Sequence, residues 1–162
     1  MQIEKYTTEN TVNKLIYTFE SIGEKTIQKR IEYQRFSKYE LLVNNLPIDA
    51  EIYNLAFGDV NEDSSDFSDE VISNNGDMNK VLATVAGTVF DFWEYHPNAI
   101  IFFKGSQPEG EKLIRTYLYQ RKIERFIREI NDEVYVFGQI EETLELFNKD
   151  KKYNAFLIIR KK

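Results

Sequence analysis

Ser73–Ser106, SNNGDMNKVLATVAGTVFDFWEYHPNAIIFFKGS, decides the fold, because it reads in succession as turn, helix, buried strand and second turn. From Met78 the apolar residues fall at Val81, Leu82, Val85, Ala86, Val89, Phe92 and Trp93, the spacing of a helix with one wide buried stripe. Ala83, Ala86 and Gly87 add a strip of small residues that lets a sheet or another backbone approach closely, although a mid-helix glycine costs about 1 kcal/mol relative to alanine. Asn74, Asn75 and Gly76 are turn formers, and Asp77 is placed to accept backbone N–H bonds as N-cap. Pro97 ends the helix by forcing the residue before it out of the helical region. The unbroken apolar run from Ala99 to Phe103 is too short for a helix and lacks alternation, so it reads as a central strand covered on both faces. Gly105 breaks that strand, and Ser106 or Gln107 caps a second helix with Pro108 at its first position.

SNNGD with KVLATVAGTV and FFKGS, together with YNLAFGD (Tyr53 to Asp59) and YNAFLIIRK (Tyr153 to Lys161), resembles a family of small, functionally uncharacterised bacterial proteins of the Bacteroidota type. The resemblance covers the chain from about Leu15 to its end and implies no activity. Its relatives often follow the KGS turn with a threonine and an arginine-rich helix start. Here Gln107 stands at the threonine position, and the basic positions fall on Lys112 and Arg115.

Outward from that block, Leu15, Tyr17 and Phe19 alternate with mostly polar neighbours, as do Ile27, Ile31 and Tyr33 after a turn at 22–25. This predicts an antiparallel hairpin with Gln28, Arg30, Glu32 and Gln34 on its wet face. Residues 37–50 suggest a short helical turn before Pro47, and Tyr53, Leu55 and Phe57 a third strand. Residues 59–72 are acidic and serine-rich, the composition of a mobile solvated loop. Residues 108 to about 129 predict a second helix with Leu113, Ile114, Tyr117, Leu118, Phe126 and Ile127 inward. Val134 to Phe137, Leu144 to Phe147 and Tyr153 to Ile159 read as extended, with a turn at 148–152. The expectation is one α+β domain over 1–162. Its mostly antiparallel sheet has an N-terminal meander, one central strand between two helices and a C-terminal hairpin, packed on two main helices.

With 162 residues, 42% hydrophobic and 14% aromatic, the chain can bury a sizeable core. It has no cysteine, which excludes disulfides, thiolate metal sites and cysteine nucleophiles. No run approaches the ~18 apolar residues of a membrane span, and the first ten residues lack a signal-peptide pattern, so a cytoplasmic protein without a membrane partner is expected. The net charge of −6 is concentrated: residues 49–77 hold nine acids and no lysine or arginine.

Four features carry candidate chemistry. The turn Lys104 to Ser106 offers a strand end, a glycine and helix N–H groups to an anion, with Lys112 and Arg115 nearby; Glu109 and Glu111 oppose that reading in favour of an ordinary turn. Arg121, Arg125 and Arg128 form a stripe that suits a phosphate backbone, although Glu124, Glu129 and a sequence pI of about 5.0 suit a salt-bridged face better. The loop Asp59 to Glu70 has part of a calcium-loop spacing, but Ser64 stands where the turn glycine belongs, so no metal site is assigned. Asn74, Asn75 and Asp77 either contact a ligand or form the turn and cap. His96, the sole histidine, suits a cap at a helix end.

No catalytic constellation emerges and no cofactor is expected. The leading expectation is a non-enzymatic binding domain recognising a protein or nucleic-acid partner through Asn74, Asn75, Asp77, Lys104, Ser106, Lys112, Arg115, Arg121, Arg125 and Arg128. The alternative is a small enzyme or ligand-binding protein taking a phosphorylated or nucleotide substrate at the KGS turn.

Overall fold

The computed structural model describes residues 4–36, 51–60, 67–68, 76–104, 133–141, 143–148, 150–151, 153 and 155–161. In chain order these form β1 (Glu9–Asn10), β2 (Ile16–Ile22), β3 (Thr26–Phe36), β4 (Glu51–Val60), β5 (Phe67–Ser68), α1 (Met78–Tyr95), β6 (Ala99–Lys104), β7 (Val134–Ile140), β8 (Thr143–Leu146) and β9 (Ala155–Arg160). The chain separates into two compact units, Met1–Tyr33 with Ala56–Pro97, and Gln34–Leu55 with Asn98–Lys162.

In the first unit β2 pairs antiparallel with β3, Tyr17 opposite Ile31 and Phe19 opposite Lys29, and β1 adds a two-residue edge to β2. Period-2 alternation sends Tyr17, Phe19 and Ser21 inward from β2, and Lys29, Ile31 and Tyr33 inward from β3. They meet α1, whose stripe is buried as its spacing dictates: Val81, Leu82, Val85, Val89, Phe92 and Trp93 are all inside. Phe92 and Trp93 are fully buried, each contributing roughly 1.5–3 kcal/mol of apolar burial. The ring of Tyr33 stacks on Phe92 at 4.1 Å, which fixes how the hairpin meets the helix. Gly76, with φ of +78°, makes the left-handed turn into α1 that a side chain would strain.

The second unit orders its strands β4–β6–β9–β7–β8. β6 runs parallel to β4, Ile52 opposite Ile100, and the other pairings are antiparallel. Parallel neighbours need a long connection, and α1 lies in the one between β4 and β6. β6 is central, paired on both sides, as its unbroken apolar run predicts. One face of this sheet buries Ile52, Ile100, Phe102, Ala155 and Leu157, and the cluster extends through Phe137, Leu144 and Ile159.

The mostly antiparallel sheet agrees with expectation, and so does the first of the two main helices. α1 is the one helix among the described residues, and the segment 108–129 expected to form the second lies outside them. So do most of the acidic loop and residues 37–50. The expected C-terminal hairpin is formed by β7 and β8. The closest turn pairs β8 with β7, and β9 passes between β6 and β7, so the turn at 148–152 does not join neighbouring strands. No helix among the described residues is long and apolar enough to cross a membrane.

Candidate functional site

Asp77 is the expected site residue whose side chain the structure describes, and its surroundings come from three separate stretches of chain. It occupies the N-cap position of α1, with Val81 N donating to its carbonyl at 2.9 Å, yet its carboxylate makes no cap bond. Oδ2 instead accepts from the Tyr6 hydroxyl at 2.5 Å and from Ser21 Oγ at 2.6 Å. Bonds from a hydroxyl to a carboxylate are short and strong, and two of them outcompete the local cap.

Tyr6 is held from every side. Its N–H donates to Thr84 Oγ1 at 2.8 Å, its hydroxyl accepts from Ile22 N at 3.0 Å, and its ring stacks on Phe19 with Lys80 Nζ 4.3 Å from its centroid. Lys5 lies beside Gly87, where an added Cβ would come 3.3 Å from Lys5 Cδ and Nζ. The small-residue strip, expected to admit a backbone, therefore accommodates this lysine side chain at Gly87.

Two more tyrosines repeat the pattern along α1. The Tyr33 hydroxyl donates to Thr88 Oγ1 at 2.8 Å, since the Thr88 hydroxyl itself donates to Val85 O at 2.7 Å. Tyr17 donates to Asp91 Oδ2 at 2.6 Å, and Lys14 Nζ approaches the same oxygen at 3.5 Å. Three hydroxyls thus join the hairpin and the N-terminal segment to one helix. His96 closes that helix: its N–H donates to Phe92 O at 2.8 Å, its ring stacks on Phe92, and Nε2 lies 3.1 Å from Asn13 O.

These contacts push the tyrosines upward in pKa. Burial comes first for Tyr6, Tyr17 and Tyr33, with the bonds to Asp77 and Asp91 adding to it for Tyr6 and Tyr17. Below about pH 10 folded and unfolded chains both keep these protons; above it the unfolded chain releases them first, so stability present below that pH is lost as pH rises. Urea unfolding is accordingly expected to show a falling midpoint above about pH 10, with a smaller fall in Tyr33→Phe. An unchanged slope in that variant would remove Tyr33 from the effect.

A fourth polar contact was not anticipated. Lys29, 1% exposed on the inward face of β3, pairs with Asp59 near the end of β4. In the second unit, Tyr153 is similarly enclosed. Its hydroxyl accepts from Asn148 N at 2.9 Å and donates to Glu145 Oε1 at 3.1 Å, while Lys151 Nζ lies 2.9 Å from Glu145 Oε2. The Lys151 bond holds the Glu145 carboxyl below its usual range, and burial raises Tyr153.

Among the described residues, Tyr6, Tyr17, Ser21, Lys29, Tyr33 and Tyr153 are thus each bonded to another side chain. Ser21 is fully buried and Lys29 nearly so, which leaves no approach for a substrate to either. Of the other expected site residues, Lys104 ends β6 with its backbone opposite Ala155. Asn74, Asn75, Ser106, Lys112, Arg115, Arg121, Arg125 and Arg128 lie outside the described residues. The partners Tyr6 and Ser21 were missed because they lie 71 and 56 residues from Asp77 in sequence; only Ser21, on the inward side of an alternating strand, carried a signal.

No curated protein and no solved structure matches this chain. A family model described as "Family of unknown function (DUF6934)" matches residues 2–161. With nearly its whole length covered, the chain belongs to the DUF6934 family of unknown function.

Proposed function

We propose that this chain is a non-enzymatic, cytoplasmic binding domain whose partner is a protein. One observation carries the reading: the apolar face of the second unit continues past its buried centre to an exposed rim on β7 and β8. Tyr135 and Leu146 stand on the same face as Ile52, Phe102 and Leu157, yet they are 50% and 64% exposed. Exposed apolar groups gathered at a sheet margin suit a protein surface. The charge favours the same class of partner. From Glu129 to Asn148 the sequence holds six acids and no lysine or arginine, a poor match to a phosphate backbone.

The test joins a displayed-peptide selection on the immobilised chain to a thermal-shift screen against nucleotides, phosphate and short oligonucleotides. Selected peptides are expected to alternate apolar and polar residues and to lose binding when Leu146 is changed to lysine. A saturable rise in melting temperature with a nucleotide or an oligonucleotide, without peptide binding, would overturn the protein-partner reading.

A further inference from the structure

The backbone of β8 assigns a more specific occupant to this rim, and the assignment rests on the interaction reading above. Phe147 N donates to Val136 O at 3.0 Å, and the register pairs Phe137 with Leu146, Gly138 with Glu145, Gln139 with Leu144 and Ile140 with Thr143. In an antiparallel ladder bonded pairs alternate with non-bonded ones. Thr143, Glu145 and Phe147 therefore bond to β7, while Leu144 and Leu146 turn their N–H and C=O groups to the open edge. Among the described residues β8 pairs with β7 alone.

Edges are usually blunted by lysine, proline, a bulge or extreme shortness. β1 is blunted by its two-residue length. β8 has four residues, TLEL, in regular register, with neither lysine nor proline.

We infer that this edge takes the β8 of a second copy of the chain, antiparallel, about a two-fold axis through Glu145. That register is the one in which all outward groups are used: Leu144 faces Leu146 of the second copy and Leu146 faces its Leu144, giving four backbone hydrogen bonds. The four leucines then form one apolar patch on the face that already carries the exposed rim. Glu145 meets its own counterpart across the axis, but each carboxylate is already bonded to Lys151 and Tyr153 of its own chain. An isologous contact of this kind closes as a dimer.

The chain has no cysteine, so a single introduced thiol reports the register. In the full-length chain treated with diamide, Glu145→Cys is expected to give a disulfide-linked dimer, since non-bonded antiparallel neighbours bring Cβ atoms to within about 5.5 Å. Thr143→Cys is expected to stay monomeric, because its counterpart lies four residues along the strand, about 13 Å away. Sedimentation of the unmodified chain should show a concentration-dependent dimer, weakened at least about tenfold by Leu146→Lys. Leu144→Pro, which removes an outward N–H and leaves the β7 ladder intact, should abolish it with an unchanged circular dichroism spectrum. A chain monomeric at every concentration, or equal cross-linking at 143 and 145, would overturn the proposal. If selected peptides then protect the Leu144 and Leu146 amides from exchange, the second copy fails while the interaction reading stands; without peptides or self-association, both fail.

Discussion

Gly138→Ala is expected to destabilise the chain by about 3 kcal/mol or more, at the upper end of what one added methyl costs in a packed interior. Gly138 lies within β7, opposite Phe156 of β9 and Glu145 of β8. A Cβ there would stand 2.2 Å from Tyr153 Cδ1 and 2.4 Å from Cγ and Cε1, inside the ring's van der Waals boundary. The ring has little freedom to retreat. It is 1% exposed, its hydroxyl is tied to Asn148 N and Glu145 Oε1, and Phe147 and Phe156 flank it with centroids 5.5 and 5.9 Å away. Glycine is here a condition for the tyrosine's position, although in most strands it only weakens the element. Urea midpoints would measure the cost, and Gly138→Ala combined with Tyr153→Leu should recover part of it, because the two changes share one contact. A single variant within about 0.5 kcal/mol of the parent would mean that the ring moves freely.

The same two residues illustrate how much the sequence reveals. The helix stripe from Val81 to Trp93, the buried run from Ala99 to Phe103 and the alternation on either side of residues 22–25 are local patterns, and each became the element it predicted. What local pattern cannot carry is the identity of a remote partner. Asp77 reads as an N-cap from its neighbours, but Tyr6, 71 residues away, takes its carboxylate. The turn at 148–152 suggests that β9 folds back on β8, whereas the apolar runs of β6 and β7 both need a neighbour and β9 satisfies both. Tyr153 reads from the sequence as the start of a strand; instead it precedes β9 and covers Gly138, a contact without sequence periodicity. β1 and β5, two residues each, are too short to show any alternation.

Lys29→Met is expected to cost about 3 kcal/mol, the lower end of the range for breaking a buried ion pair from one side. Alternation along β3 places position 29 inward with Ile31 and Tyr33, a location where a lysine is not expected. It is tolerated because Asp59 arrives beside it from β4, with its side chain 14% exposed against 1% for the lysine. Methionine has similar length and keeps the packing, so the measured loss would come from the charge left on Asp59. The double variant Lys29→Met/Asp59→Leu removes both charges and should regain most of the loss, since a buried pair replaced by apolar residues of similar size is often neutral or stabilising. The pair is largely shielded from solvent, so the effect of Lys29→Met should change little when salt is raised, unlike that of an exposed pair such as Arg35–Glu51. Urea unfolding of the two single variants and the double variant, at low and high salt, provides the full cycle. Additive losses in the double variant would show that Lys29 and Asp59 act independently, and that the loss in Lys29→Met does not come from the charge left on Asp59.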